Sequence, residues 1–431
     1  MTGPKVAVWA AILPRNLAAC PQAMRVCLLY DCLFPYTVGG AERWYRNLGE
    51  RLAAAGHEVT YLTLRQWERG QAPEVAGVRV RAVGPRMRLY AGPGRRRILP
   101  PLVFGLGVLW HLLRHGARYD VVHTASFPYF SLLAAGAARR RGGYRLVVDW
   151  HEVWSREYWR EYLGPVGGEL GWAVQWLCIR IPQRAFCFSR LHAGRLREAG
   201  FGAEPTVLPG EWEGRLEPER PQPPEPVVVF AGRHIPEKQV LSIPPAIRVA
   251  RQSFPELRAV ILGDGPQRQA ARRLVGELDL ADVISLPGFV STAEVAEHLA
   301  RALCLLLPSR REGYGLVVLE AASRGTPSVV VSGANNAAVE LVADGENGCI
   351  AASTAPGDLA AAILRVREEG QGMRERTAEW FRRNACAHSL ERSLRVVLEA
   401  YGVSVEAEHR HLEVAGKTSD AGGAAEADVG Q

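Results

Sequence analysis

The chain has 431 residues, of which 48% are hydrophobic and 23% are charged. This composition excludes a disordered or collagen-like protein, and at about 150 residues per domain the length predicts two domains. The formal net charge of +7 indicates an anionic partner. A positive excess this small over so long a chain does not indicate the basic stripe of a nucleic-acid-binding protein. A nucleotide, a phosphate group and an acidic membrane surface all remain candidate partners.

The first 23 residues do not look like the start of a folded domain. Lys5 precedes an apolar run over residues 6–13, but Pro14 interrupts it, so a secretory signal is not favoured. We expect the first buried strand at residues 25–30 and the start of the fold at Met24. The eight cysteines form no C-x-x-C pair, which predicts small buried thiols in a reducing compartment and a cytoplasmic protein.

The following residues alternate between strand-like and helix-like patterns. The segment after Gly39 and Gly40 has apolar residues at helical spacing, and residues 57–64 then form a second apolar run. The alternation continues through the first half of the chain. It predicts a parallel sheet with helices on both faces, and we expect this doubly wound domain over residues 24–212.

Residues 98–113 are the nearest approach to a membrane-spanning segment, and three arginines precede them directly. The segment contains prolines, glycines and a histidine, so it is a poor span. Two interpretations stay open. It is either a core helix of the first domain or a basic and apolar helix that lies on an anionic bilayer surface.

Residues 213–226 carry five prolines among scattered charges and show no periodicity, which is typical of a linker. A second doubly wound domain is expected over residues 227–385, followed by an amphipathic helix at residues 389–401. Residues 1–23 and 405–431 are expected to be disordered. Two such domains would face each other across a cleft at the carboxyl ends of both sheets, where ligands bind.

Two cations follow the first strand of the second domain. Arg233 comes directly after Gly232, and Lys238 stands five residues further on. An arginine fork and a lysine point charge together suit a diphosphate. Because the chain has only three lysines, a lysine at this position favours a functional role over a solvated loop.

The strongest functional signal lies in residues 308–327, which follow a buried strand, turn through two glycines and enter a helix at about Leu316. Glu312 is then in the loop at the sheet edge, and Glu320 lies just over one turn into the helix. Two carboxylates at this edge accept paired hydrogen bonds from the vicinal hydroxyls of a sugar or ribose. The backbone N–H groups of Gly315 and Leu316 would point at a phosphate.

Together these residues resemble glycosyltransferase family 4, the retaining, nucleotide-sugar-dependent enzymes of the GT-B fold. The resemblance rests on the E-x7-E pair, the Gly-Arg plus Lys element and the Gly-Gly loop, and it extends over residues 24–401. It implies an α/β architecture of two Rossmann-like domains facing across a cleft. It also implies that residues 386–404 form a C-terminal helix that returns to the N-terminal domain.

The resemblance implies a role for each matching residue. Arg233 and Lys238 would bind the donor diphosphate, Glu312 the donor-sugar hydroxyls and Glu320 the ribose hydroxyls. His151 would lie near the anomeric carbon and the acceptor. The implied catalytic residues are Glu312, His151, Arg233 and Lys238, and the implied donor-binding residues are Gly39, Gly40, Gly232, Tyr314, Gly315, Leu316, Glu320, Gly263 and Val290.

The sequence also departs from the family pattern. Gly210-Glu211-Trp212 stands where family members commonly carry Asn-Gly-Val-Asp, and the aromatic-rich residues 150–162 suggest either an acceptor-side wall or packing between the domains. No D-x-D sequence occurs, so we expect no metal and no other cofactor. The charge of the leaving group would then be met by Arg233, Lys238 and helix-terminal N–H groups.

The expected function is metal-independent, retaining transfer of a hexose from a nucleotide sugar. The acceptor hydroxyl would belong to a glycan, a lipid-linked sugar or a secondary metabolite, with possible peripheral contact to the anionic inner face of the membrane. The alternatives are a nucleotide-sugar epimerase of similar architecture and a non-catalytic nucleotide-sugar-binding scaffold. No nucleic-acid partner is expected, because the arginines are spread over both domains.

Overall fold

The computed structural model describes residues 23–402, apart from residues 38, 69, 72, 93, 94 and 209. The two segments expected to be disordered lie outside these residues, except for residue 23. The last two residues of the predicted C-terminal helix, 403 and 404, also lie outside them.

The N-terminal domain is built on a parallel sheet. Its strands are β1 (Arg25–Leu29), β2 (Glu58–Leu64), β3 (Val78–Gly84), β6 (Val121–Ala125), β7 (Arg145–Trp150), β8 (Arg184–Cys187) and β9 (Thr206–Val207). Between β3 and β6 along the chain, β4 (Tyr90–Gly92) and β5 (Arg95–Arg96) form a separate short antiparallel pair. In the described part of the chain the order is β3-β2-β1-β6-β7-β8-β9. Val26 in β1 lies opposite Val59 in β2 and Val121 in β6. A strand paired on both sides and covered on both faces must be almost wholly apolar, as β1 is.

Among the described residues, the helices between these strands are α1 (Gly40–Ala54), α2 (Leu99–His115), α3 (Phe130–Gly142), α4 (Arg156–Ile179) and α5 (Arg190–Glu198). Helix α4 is interrupted at Gly164, which has a φ of 78° and precedes Pro165. Proline cannot continue a helical hydrogen-bond ladder, so the chain bends there.

The C-terminal domain repeats the plan. Its main sheet contains β10 (Val227–Ala231), β11 (Arg258–Leu262), β12 (Ile284–Gly288), β13 (Cys304–Leu307), β15 (Ser328–Val331) and β17 (Gly348–Ala351), and a separate small sheet contains β14 (Arg311–Glu312) and β16 (Asn335–Asn336). Among the described residues the order of the main sheet is β12-β11-β10-β13-β15-β17. The helices are α6 (Ile243–Ala250), α7 (Arg268–Glu277), α8 (Thr292–Arg301), α9 (Leu316–Ala322), α10 (Pro356–Asn384) and α11 (Leu390–Tyr401).

The last helix crosses back to the first domain. Leu390, Leu394 and Val397 of α11 belong to the hydrophobic core of the N-terminal domain. The Tyr401 hydroxyl lies 2.7 Å from Nδ1 of His123, which is buried in β6. Two Rossmann-like domains and a returning C-terminal helix confirm the predicted GT-B fold.

Two findings concern the expectations for the cysteines and for a membrane-spanning segment. The described cysteines are free and buried except Cys386, which is exposed, so the prediction of buried thiols is wrong at that position. Within the described residues, no helix combines the length and the apolarity that a membrane span requires.

Candidate active site

Lys238 and Glu312, 74 residues apart in sequence, meet in an ion pair at the carboxyl edge of the second sheet. Lys238 ends a 3-10 turn, and Glu312 is held in β14, which pairs with β16. The Ser309 hydroxyl donates a 2.9 Å hydrogen bond to the same carboxylate oxygen of Glu312. Both charged side chains are mostly shielded from water, with exposed fractions of 19% and 9%. The structure therefore fixes an ammonium and a carboxylate side by side in the cleft.

Arg233 stands on the same loop but is exposed, and no ion pair or hydrogen bond engages its guanidinium within the described residues. Its charge acts across the cleft on Glu42 in the first turn of α1. Burial raises the pKa of the Glu42 carboxyl, and the charge of Arg233 partly offsets that rise. Within the described residues, Arg233 is thus a cation without a protein partner whose charge reaches the first turn of α1.

Gly39 and Gly40 form the N-terminus of α1, which no side chain of the described residues caps. A Cβ on Gly39 would come too close to the Glu42 carboxylate, so that flexible side chain would have to move aside. One carboxylate oxygen of Glu211 lies 4.0 Å from the position that a Cβ on Gly40 would occupy. Burial raises the pKa of Glu211 to about 8, and the negative charges of Asp149 and Glu213 act in the same direction. The sequence analysis named Glu211 only as a departure from the family pattern.

Gly232 and Gly263 directly follow β10 and β11, and their backbones pack against each other. Gly263 has a φ of +114°, and a Cβ on it would collide with the carbonyl oxygen of Gly232. The Gly232 N–H donates to the Leu262 carbonyl at 3.2 Å. Val290, which follows β12, is partly buried against the C-terminal core. This loop edge therefore presents backbone rather than side chains.

Glu320 lies in a different part of the cleft from Glu312. With Leu316 of α9 it lines a cavity of about 360 Å³ between the domains, which Arg43 of α1 and Glu211 also line. Glu312 does not line this cavity. Burial raises the pKa of Glu320, and the positive charge of Arg43 partly offsets the rise.

Tyr314 and Gly315 form the turn into α9. Gly315 has a φ of +101°, in the left-handed region that glycine tolerates best. The Tyr314 ring packs against both hydrophobic cores, and its hydroxyl lies 3.2 Å from Nδ1 of His388. The Tyr314 side chain thus joins the domains.

His151 follows β7 and is next to the Glu312 loop. A Cβ on Gly313 would lie 2.9 Å from the carbonyl oxygen of His151, so the two backbones approach closely. The imidazole stacks on Phe188 with a centroid distance of 4.5 Å, and its Nε2 has no hydrogen-bond partner among the described residues. Burial lowers the pKa of His151, because the charged imidazolium is disfavoured there.

The aromatic-rich segment packs between the domains. Trp154, Tyr158 and Trp159 are buried, and the Arg311 guanidinium of the C-terminal domain lies 4.7 Å from the Trp154 ring centroid and 4.8 Å from that of Tyr158. Arg311 also pairs with Glu152 at 3.5 Å. Of the two interpretations left open for this segment, the geometry favours domain packing over an exposed acceptor wall.

A further contact between the domains had no signal in the sequence. The carboxylate of Glu340 accepts hydrogen bonds from the backbone N–H groups of Arg190 and Leu191 at 2.9 and 2.8 Å, at the start of α5. A carboxylate is favoured there because the first N–H groups of a helix have no partner within the helix. In the same region Arg195 donates to the Asn335 side chain at 2.7 Å.

No group of three or more His, Cys, Asp or Glu side chains is placed to hold a metal ion within the described residues. The polar groups at the cleft are instead cations, carboxyl groups and backbone N–H groups. These can bind an anion and the hydroxyls of a sugar, and the class of protein that such a cleft between two Rossmann-like domains defines is a GT-B glycosyltransferase.

Comparison with protein families agrees with this class. Residues 38–210 match the model "Glycosyltransferase Family 4", and residues 216–384 match the model "Glycosyl transferases group 1". The two matches follow each other along nearly the whole described chain. The protein therefore belongs to the family 4, group 1 glycosyltransferases, as the sequence motifs predicted.

Several curated proteins are similar in sequence. The α-D-kanosaminyltransferase of Streptomyces kanamyceticus is 32% identical over 36% of this chain. The GDP-mannose-dependent α-(1-6)-phosphatidylinositol monomannoside mannosyltransferase of Mycolicibacterium smegmatis is 32% identical over 34% of this chain. These matches span only 39% and 41% of the two relatives. D-inositol 3-phosphate glycosyltransferase 2 of Catenulispora acidiphila is 29% identical over 75% of this chain and 81% of its own length.

Solved structures share the fold. Sucrose-phosphate synthase from Thermosynechococcus elongatus superimposes with a TM-score of 0.71 at 19% identity, covering 91% of this chain and 100% of that one. The Anabaena protein Alr3699/HepE in complex with UDP-glucose gives a TM-score of 0.67 at 17% identity, covering 88% and 99%. At these identities the similarity concerns the architecture.

Proposed function

We propose that this protein transfers a hexose from a nucleoside-diphosphate sugar to an acceptor hydroxyl, with retention of anomeric configuration and without a metal ion. The acceptor is a glycan, a lipid-linked sugar or a secondary metabolite. The observation that carries the proposal is the ion pair of Lys238 and Glu312, with the guanidinium of Arg233 on the same loop and the N-terminus of α1 opposite. That arrangement combines diphosphate-binding cations with a carboxylate that can hold sugar hydroxyls.

In the proposed complex, Arg233 and Lys238 bind the donor diphosphate while Gly39 and Gly40 approach it from the other domain. Glu312 neutralises Lys238 in their ion pair. The diphosphate would compete for that ammonium and leave Glu312 available to the hydroxyls of the donor sugar. Glu320, at the inter-domain cavity, would hold the ribose hydroxyls, and Gly232, Gly263 and Val290 would contact the donor through the backbone.

The chemistry proposed is a same-face displacement. The bond between the anomeric carbon and the phosphate oxygen breaks, and its electron pair leaves with the nucleoside diphosphate. The acceptor oxygen bonds to the same face of the anomeric carbon, and its proton passes to the departing phosphate oxygen. Arg233, Lys238 and the N–H groups at Gly315 and Leu316 would stabilise the leaving charge, and such preorganised donors contribute about 3 kcal/mol each in comparable sites.

The lowered pKa of His151 gives a neutral imidazole beside the Glu312 loop at neutral pH. A neutral ring next to the anomeric carbon would add no positive charge where positive charge develops in the transition state. We assign His151 to orienting the donor sugar and the acceptor.

The relatives support a hexose donor without fixing the acceptor. Their names include an α-D-kanosaminyltransferase and a GDP-mannose-dependent α-(1-6) mannosyltransferase, while the named acceptors range from a phosphatidylinositol monomannoside to D-inositol 3-phosphate. A structural neighbour was solved with UDP-glucose. We place the protein in the cytoplasm, with peripheral contact to the anionic face of the membrane as part of the proposal.

The test is turnover of a panel of UDP-, GDP- and ADP-sugars, first without added metal and then with a chelator. We expect slow, chelator-insensitive hydrolysis of one donor, lost in Glu312→Ala and retained in Glu297→Ala, which removes an exposed carboxylate from α8. Release of a C2 or C4 epimer still attached to the nucleotide would support the epimerase. Saturable donor binding without any turnover, unchanged by Glu312→Ala, would support the scaffold. A β-linked product from an α-linked donor would contradict retention.

A further inference from the structure

Helix α2 is apolar on two sides, and the N-terminal domain covers only one of them. Phe104, Val108 and Leu112 are buried, and α3 packs against this side. The uncovered side carries a line of large apolar residues at intervals of three or four positions, which is one face of a helix. These residues, beginning at the N-cap, are Ile98, Leu102, Leu106, Trp110 and Leu113.

The exposure of this face is unusual for a surface helix. Ile98 is 65% exposed, and Leu106 and Trp110 are each 60% exposed. Scattered apolar residues on a surface need no explanation, but a continuous line of them marks a contact with a partner or a membrane.

The chain segment that contains the helix is strongly basic. Residues 75–119 contain nine arginines and no aspartate or glutamate. Arg97 lies just before α2, Arg114 in its last turn and Arg118 in the following 3-10 turn, and all three are exposed and form no ion pair within the described part of the chain. The Arg114 guanidinium lies 3.6 Å from the centroid of the Trp110 ring.

We propose that α2 docks the protein on an anionic phospholipid bilayer, with its exposed apolar face in the headgroup boundary and the arginines at its two ends on the lipid phosphates. An apolar face bordered by arginines, with tryptophan at the boundary, suits a helix that lies in the plane of the interface. At 1.5 Å per residue the helix is about 25 Å long, so it would contact several headgroups along its length. This names the surface for the peripheral contact proposed above and does not depend on the transferase activity.

Charge argues against a second copy of the chain as the occupant. A two-fold symmetric contact would place the same surface of each copy against itself. Arg97, Arg114 and Arg118 of one copy would then face the arginines of the other with no carboxylate in residues 75–119 to neutralise them. Anionic headgroups supply that neutralisation.

The experiment is co-sedimentation of the full-length protein with vesicles of phosphatidylcholine alone and of phosphatidylcholine mixed with phosphatidylglycerol, at low and at high salt. We expect binding to the mixed vesicles that falls with salt. The double substitution of Leu106→Asp and Trp110→Asp should weaken it at least about tenfold. Arg114→Glu with Arg118→Glu should weaken it by about fivefold for each arginine removed. Leu216→Asp, which alters an exposed apolar residue of the linker, is the control and should bind as the unaltered chain does.

Far-UV circular dichroism and urea unfolding of each variant, measured without vesicles, show whether it is folded and separate a folding defect from a docking defect. No binding to the mixed vesicles, equal binding to phosphatidylcholine alone, or unchanged binding by both sets of variants would overturn the proposal. So would a dimer of the unaltered protein that the Leu106 and Trp110 substitutions convert to a monomer. If the variants are folded as the unaltered chain is but do not bind vesicles, the docking surface is confirmed whatever the donor and acceptor prove to be.

Discussion

Glu211→Gln should change how stability depends on pH, because Glu211 holds its proton much more tightly in the folded state. Its carboxyl pKa is raised to about 8, first by burial and then by Asp149 and Glu213, from an ordinary value of 4.5. Between these two values the folded state binds one more proton than the unfolded state. The stability that this proton contributes is fully present below pH 4.5 and is lost as pH rises through about 8.

The size of the effect follows from the shift. One proton of difference changes the free energy of unfolding by about 1.4 kcal/mol per pH unit. Over two pH units, from about 5.5 to about 7.5, this amounts to about 2.7 kcal/mol. Because the Glu211 side chain is only partly buried, solvent screening reduces the expected change to roughly 2 kcal/mol.

The assay is urea unfolding followed by tryptophan fluorescence, for which the buried Trp212 next to Glu211 is a local reporter. The stability of Glu211→Gln relative to the unaltered protein should rise by roughly 2 kcal/mol across that pH range, since glutamine cannot ionise. Glu297→Gln, the same change at an exposed position of α8, is the matched control. Parallel pH profiles for the unaltered protein and Glu211→Gln would refute the reasoning.

Three further substitutions test separate contacts. Gly263→Ala should distort the loop against Gly232, so we expect a loss of about 1–3 kcal/mol of stability and at least tenfold weaker donor binding in calorimetry. The control is Gly276→Ala, whose added Cβ meets no atom within 4 Å and should change neither stability nor donor binding. Glu340→Gln should cost about 1 kcal/mol in urea unfolding, because the start of α5 loses its charged acceptor, and unchanged stability would contradict that role for the carboxylate. Tyr401→Phe removes the hydroxyl that lies 2.7 Å from Nδ1 of His123 and should cost about 1–3 kcal/mol of stability. The loss should appear as faster hydrogen exchange of β6. An unaltered exchange rate there would show that α11 docks through its apolar residues alone.

The fold could be predicted because it depends on hydrophobic patterns among residues that are close together in the sequence. Buried parallel strands need continuous apolar runs and covering helices need apolar residues every three or four positions, so the order of elements is readable from the chain. Boundaries moved by only a few residues. The helix expected at residues 389–401, for example, spans Leu390–Tyr401, because Ser389 caps its N-terminus instead of joining it.

The site was less accessible to such patterns. The 74 residues between Lys238 and Glu312 carry no periodicity that would bring the two side chains together, and the family motif supplied that prediction. The raised pKa of Glu211 and the contact of Glu340 with α5 depend on how the two domains meet, which no local pattern encodes. Helix α2 was ambiguous for another reason: with apolar residues on two sides, its sequence is consistent with both a core helix and a surface helix.

The central claim is that the Lys238 loop binds the diphosphate of a donor sugar. Calorimetric titration of UDP-, GDP- and ADP-sugars into the unaltered protein, Lys238→Ala and Arg273→Ala tests it most directly, since Arg273 is an exposed cation on α7 of the same domain. We predict saturable binding of one donor, weakened about 10- to 100-fold in Lys238→Ala, as expected for losing a charge-assisted hydrogen bond, and unchanged in Arg273→Ala. Equal affinity of Lys238→Ala and the unaltered protein for the bound donor, or binding of no nucleotide sugar at all, would contradict it.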